Sequence, residues 1–255
     1  MAKGDAKRVS WRRVGICLAI IFAALWLLDL AIPSVSTWWL ARHVDVDDPI
    51  VALVPQQLKD TGVADLKDGM VITHFGYSIQ VPWTKATVVK DYTSVEATGF
   101  EDGSSLLMFN PGDHLDMLTT QSGNATAARE GLRSLLGDQA MKSHFDYARA
   151  EFNARPGEVS LFHSRRSNTR SYMLLTMKSL DIQKGVTEIY TISSPNLRGF
   201  QFGDPHLSPM FIELLLFDGH DRALKLIFKG PRGGTRLFLT QEQINAMVAS
   251  MRPVA

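Results

Sequence analysis

Hydrophobic and polar positions follow three different rhythms along this 255-residue chain. Near the start the pattern is a block. Val14 to Leu28 carries no charge, Asp29 follows, and Leu30-Ala-Ile32 completes a stretch of nineteen residues. As a helix it would extend about 28 Å, close to the thickness of one bilayer core, so it predicts a transmembrane helix. From Met70 the rhythm becomes twofold. Phe75, Tyr77, Ile79 and Val81 alternate with polar positions and predict a half-buried strand that Pro82-Trp83 ends. Thr87 to Phe100 is rich in Val, Thr and Tyr; Glu101-Asp-Gly103 turns it into Ser105–Phe109, which Asn110-Pro-Gly-Asp113 closes. Three antiparallel strands are expected there.

A helical rhythm follows. Asn124 is placed to cap a helix with Ala128, Leu132, Leu135 and Leu136 on one face. Gly137-Asp138 is expected to start a second helix, with Met141, Phe145, Ala148 and Phe152 in register, ended by Arg155-Pro-Gly157. Ser171–Leu180 holds Leu, Met and Lys and only one β-branched residue, so it predicts a third helix stopping near Gly185. Strands return at 187–193, 199–202, 211–217 and 222–229, the last two joined by the turn Asp218-Gly-His-Asp221. Thr240-Gln-Glu-Gln243 makes a capping box before a helix with Ile244, Met247, Val248 and Met251 along one seam.

Four regions result: a basic N-terminus (1–13), the span with its interfacial flank (14–40), a linker or stalk (41–69) with room for a short helix at 54–66, and a domain (70–255). Strands, helices, strands and a closing helix predict an α+β class, an antiparallel sheet flanked by helices. The order is similar to the Mog1/PsbP-like α/β/α sandwich. The likeness rests on Gly76-Tyr-Ser-Ile-Gln-Val-Pro-Trp83 and on the closing helix ending Ala249-Ser-Met-Arg-Pro253, and covers roughly residues 70–253. The helical insert at about 155–182 departs from that pattern. The resemblance implies a binding or assembly module and carries over no catalytic residue.

Charge orients the predicted span. Lys3, Lys7, Arg8, Arg12 and Arg13 precede it, opposed only by Asp5, and Arg42 with Asp45, Asp47 and Asp48 follow. Positive flanks stay cytoplasmic, so the domain is expected outside, with Trp38 and Trp39 at the outer interface. The rival reading is a cleaved signal peptide, since a basic region, an apolar run and Ser34-Val-Ser36 occur in order. The run is long for that, and paired Trp residues favour an interface. The expected location is a bacterial inner membrane, single-pass, with the bilayer as one partner through residues 14–32. The chain has 27 Lys and Arg to 26 Asp and Glu. Six of the basic residues and two of the acidic ones precede residue 43, which leaves the domain mildly acidic. That balance speaks against nucleic acid as a partner. Cys17, the only cysteine, lies in the predicted span, so the domain has no disulfide, thiol nucleophile or cysteine metal site.

Candidate chemistry is sparse. His114 stands near Asp113 and Asp116, and His220 between Asp218 and Asp221. Both groups fall in expected turns, where such residues serve the backbone, and neither has the spacing of a metal site. They leave a metal-assisted envelope hydrolase as the alternative to a non-catalytic module. No nucleophile elbow or phosphate loop is present, and no cofactor is expected. Arg165, Arg166 and Arg170 cluster before the third helix and form the expected contact surface for an envelope protein or polymer. The orientation makes one firm prediction: alkaline phosphatase fused after Ala255 is active and green fluorescent protein fused there is dark. The reverse pattern would place both ends in the cytosol and remove the envelope assignment.

Overall fold

The computed structural model describes residues 49–58, 62–109, 125–159, 163–207, 209–231 and 236–254. The predicted span, with Arg12, Arg13, Trp38 and Trp39, lies outside these residues, as do His114 and Asp116. Among the described residues no helix is long and apolar enough to cross a membrane.

In chain order the elements are α1 (Pro49–Ala52), β1 (Gln56–Gln57), β2 (Val71–His74), β3 (Tyr77–Gln80), β4 (Ala86–Asp91), β5 (Val95–Phe100) and β6 (Ser105–Phe109). They continue with α2 (Ala125–Leu136), α3 (His144–Asn153), α4 (Arg165–Asp181), β7 (Ile189–Ser193) and β8 (Leu197–Phe202). The chain closes with β9 (Phe211–Asp218), β10 (Ala223–Lys229), α5 (Gln241–Ser250) and β11 (Arg252–Pro253). Eight strands form one sheet in the order β1-β7-β8-β9-β10-β6-β5-β4, and β11-β3-β2 form a smaller one. Pairing is antiparallel except between β1 and β7. The class is α+β, a mostly antiparallel sheet flanked by helices.

Strand β9 reads Phe-Ile-Glu-Leu-Leu-Leu-Phe-Asp, and every residue after Phe211 is buried. Its alternate side chains supply two cores. Ile212, Leu214 and Leu216 meet the small sheet (Ile72, Tyr77, Ile79) and the α5 seam of Ile244, Met247, Val248 and Met251. Leu215 and Phe217 join Phe200, Phe202, Ala148 and Phe152 on the other face. There the Phe152 ring packs edge-on to Phe200 at 4.9 Å and to Phe202 at 5.0 Å. A third cluster binds α2, α3 and α4 through Leu136, Tyr147, Leu174 and Leu175. Gly199 of β8 is dictated by close approach, because a Cβ there would lie 2.0 Å from the Leu215 carbonyl oxygen.

Several expectations need correction. The presumed stalk packs with the domain from Pro49 on: Ile50, Val51 and Leu66 are buried, β1 pairs with β7, and the described residues of 54–66 form no helix. The single strand expected over 71–81 is a hairpin, because Phe75 (φ +50°) and Gly76 (φ +75°) form a two-residue turn in its middle. The run 87–100 likewise folds back at Tyr92, whose N–H donates to the Val95 carbonyl at 2.9 Å. The second helix begins at His144, not at Gly137-Asp138; Ser143 caps it by accepting from the Asp146 N–H. The third begins at Arg165, capped by Ser164, and so is longer than 171–180. The capping box of α5 forms as expected, Thr240 and Gln243 bonding reciprocally.

Phe200 touches rings from α3 on the sheet's most crowded face. Phe200→Ala is expected to lower unfolding free energy by about 3–5 kcal/mol. Urea denaturation checks it, with a fall in midpoint at unchanged slope.

Candidate functional site

The helices cover only part of the sheet. Helix α3 and the segment after α4 (Ile182, Val186) lie over β7, β8 and β9, and the same face of β10, β6, β5 and β4 holds a concavity of about 1090 Å³. Strand register explains its shape. Val88, Gly99, Ser105, Lys229 and Phe211 are successive cross-strand partners, and Lys90, Ala97, Leu107 and Ile227 form the next row. Side chains two residues apart share a face. Ala97, Gly99 and Ser105 therefore make a low floor, while their neighbours Thr98, Phe100 and Leu106 turn into the core behind. Val88, Lys90 and Tyr92 stand on one side; Lys229, Met210, Phe211 and Gln183 stand on the other. The trough is thus a consequence of small residues in the middle strands and long ones at the sides.

Its chemistry is apolar with positive edges. Val88, Tyr92 and Met210 are more than half exposed. Among the described residues no Asp or Glu lines the trough, and neither Lys90 nor Lys229 has an ion-pair partner there. The boundary with the helix-covered half is polar: Gln183 donates to Glu213 at 3.0 Å, and Lys225 lies 2.6 Å from the other oxygen. Burial pushes the Glu213 carboxyl up, and Lys225 only partly offsets this.

The turn expected to hold His220 and Asp218 works differently. Asp218 is buried and accepts from Tyr77 Oη, from Arg222 Nε at 2.9 Å and from the N–H groups of His220 and Arg222. Burial alone would raise its pKa, but these donors outweigh burial and hold the carboxyl below the usual value. Burial and the bond to Asp218 push Tyr77 up to about 12. His220 is exposed and engages Asp218 through its backbone, not its ring. Asp221, with φ of +63°, accepts from the N–H groups of His144 and Phe145 at the start of α3. The turn therefore ties the small sheet, β9 and α3 together, and Asp218 is already fully committed. Among the described residues no group of three His, Cys, Asp or Glu gathers as a metal site.

The arginines do not form one patch. Arg166 reaches the Ser134 carbonyl on α2. Arg170, four residues on, shares its helix face and borders clefts of about 440 and 420 Å³, whereas Arg165 is exposed on a different side. Deeper between α3 and α4, Lys178 Nζ donates to the carbonyls of Leu53 and Ala154. Burial lowers its pKa to about 8 against the pull of Glu151. Glu151 is fully buried, and burial with nearby Asp181 drives its carboxyl well up. Lys178 serves packing there by satisfying helix-end carbonyls. Sequence reasoning missed Lys90, Ala97, Gly99, Ser105 and Lys229; small residues at alternate positions of a predicted hairpin were the available signal.

Comparison with protein-family models, curated proteins and solved structures finds no match for this chain. Nothing in those comparisons bears on the Mog1/PsbP-like resemblance.

A depressed carboxyl pKa stabilises above its unfolded value and loses that contribution as pH falls through the folded value. Asp218→Asn is therefore expected to cost about 2–3 kcal/mol at pH 7. The gap from wild type closes on acidification below the ordinary aspartate value of 3.8. Chemical denaturation of both proteins at pH 7 and pH 3 measures it. Comparing the pair cancels Glu151 and Glu213, whose raised values act in the opposite sense.

Proposed function

We propose that this chain is a single-pass protein of a bacterial inner membrane whose exported α+β domain is a non-catalytic binding or assembly module, with its ligand seated in the trough over β4, β5, β6 and β10. The location rests on the apolar run at 14–32 and its basic N-terminal flank. One observation carries the binding role: half of a sheet face that the described helices leave open is shaped into an apolar-floored concavity. Its volume is at the upper end of the range for small-molecule sites. An apolar rim in water gains free energy when covered.

The polar groups of the trough favour binding over turnover. Ser105 stands opposite Lys229 across the β6–β10 ladder, but Lys229 is exposed. A serine–lysine nucleophile of the hydrolytic kind needs an enclosed, desolvated lysine. The paired carboxylate and histidine that general acid–base chemistry would use are not in the lining.

Nile red, an uncharged apolar fluorophore, tests the site on the full chain in detergent micelles, with a chain carrying the filled trough in the same micelles as the reference. A Cβ at Gly99 would meet its nearest neighbour, Thr87 Oγ1, at 3.5 Å, an ordinary van der Waals contact, so Gly99→Val with Ala97→Leu is expected to fill the trough. Saturable binding is expected in wild type and about tenfold weaker binding in the filled variant, a loss of ~1.4 kcal/mol. Equal binding by both, at equal circular dichroism, would eliminate the trough as the site.

A further inference from the structure

The trough's two lysines say what kind of molecule it takes. Lys90 and Lys229 stand on opposite walls, on strands three spacings apart and two residues out of register, so their Cα atoms are separated by about 16 Å diagonally across the sheet. Both residues are exposed. Long cationic side chains lay their methylene stems along apolar walls and keep the ammonium in water. Each ammonium group is thereby held at the mouth, above a floor of Ala97, Gly99 and Ser105. Neither has an ion-pair partner among the described residues, and no carboxylate in the lining offsets them. The mouth therefore attracts one anion between two cations, and the floor below offers only apolar contact and a serine hydroxyl.

We infer that the trough binds a single-chain fatty carboxylate, head at the mouth between Lys90 and Lys229 and apolar chain on the Ala97–Gly99–Leu107 floor. The charge pattern selects this class. A neutral apolar molecule would leave both ammonium groups unused. A cation would meet two like charges. An acidic polymer carries repeated charge that the apolar floor and the exposed Val88 and Met210 would have to desolvate. An amphiphile with one negative end satisfies both halves of the site, pairing its head where water still reaches and burying its chain where water gains from leaving. The inference rests on the trough being a ligand site at all, and the experiment separates the two.

The full chain in nanodiscs of phosphatidylcholine is exposed to a palmitate analogue bearing a diazirine in its chain, irradiated and digested, and the labelled peptides are identified by mass. The alcohol of the same chain length serves as the uncharged probe. Expected are labelling within 86–109 by the carboxylate, a loss of fivefold or more in Lys90→Gln/Lys229→Gln, and weak labelling by the alcohol that the lysine changes leave unaltered. Gly99→Val should abolish labelling by either probe. Labelling that ignores the lysines but disappears in Gly99→Val would overturn the anionic head while keeping the trough. Labelling that survives Gly99→Val, or is absent from 86–109, would overturn the trough itself. If nanodiscs containing phosphatidylglycerol protect the segment from the probe, the occupant is the anionic bilayer surface and the fatty carboxylate is ruled out.

Discussion

Strand β9 is the member on which the structure depends, because it is buried on both faces and supplies a core to each. Its apolar run gives Ile212, Leu214 and Leu216 to one layer and Leu215 and Phe217 to the other. A strand covered on both sides needs neighbours along its whole length, and β8 and β10 pair with it nearly end to end. The rest follows from how far each cover reaches. The small sheet and α5 pack one face as far as Phe100 of β5 and Met108 of β6. The described helices on the opposite face end near Ile182 and Val186, and among the described residues no helix packs on that face of β6, β5 and β4.

Buried polar groups mark the seams between these layers, each with a partner from another element. Tyr77 of the small sheet meets Asp218 at the end of β9. Gln201 of β8 exchanges two hydrogen bonds with Gln241 of α5, at 2.7 and 2.9 Å. His74 contacts the buried Glu96 between β2 and β5. Burial there pushes the Glu96 carboxyl up and the His74 imidazole down, so both favour their uncharged forms. A polar pair that must match across a seam penalises every other register, because a slip leaves a donor or acceptor buried and unpaired. Apolar contacts set how strongly the layers associate, and these pairs set where.

Legibility in the sequence follows the range of the interaction that decides each feature. The turn at 218–221, the strands on either side of it and the capping box of α5 depend on neighbours a few residues apart, and they were readable. The hairpin of β2 and β3 was not, because Phe75, a bulky residue, adopts positive φ in the turn. The bend at 92–94 likewise holds Tyr-Thr-Ser, with no glycine, proline or asparagine to announce it. Ile50 and Val51 sit in an apolar run of only five residues, Ile50 to Val54, between polar flanks, and become core only through long-range contact with the helices. The candidate site is of the same kind: Ser105 and Lys229 come together through strand pairing across more than a hundred residues. The Asp218 group misled for a related reason, since its proximity to His220 was legible and its partner Tyr77 was not.

Small residues distinguish the open half of the sheet from an incomplete core. Where helices cover the sheet, the facing positions are Phe200, Phe202, Leu215 and Phe217. Where they do not, the central positions are Ala97, Gly99 and Ser105, with Leu107 the one large residue among them. Glycine and alanine inside strands weaken a sheet by forgoing side-chain packing and, for glycine, by greater loss of backbone freedom. On a face held against solvent, though, each large apolar residue would enlarge an exposed patch and invite aggregation. Placing small residues on the floor and lysines at the sides keeps the bare area soluble while preserving a volume that something else can fill. The open edge strand follows the same logic, with Lys90 on β4 and a register shift between Ala86 and Val88, both features that discourage pairing with a foreign strand. A face that merely lacked a covering helix would carry none of these adjustments, and their combination is what favours the proposed reading of the trough as a ligand site over that of an unfinished core.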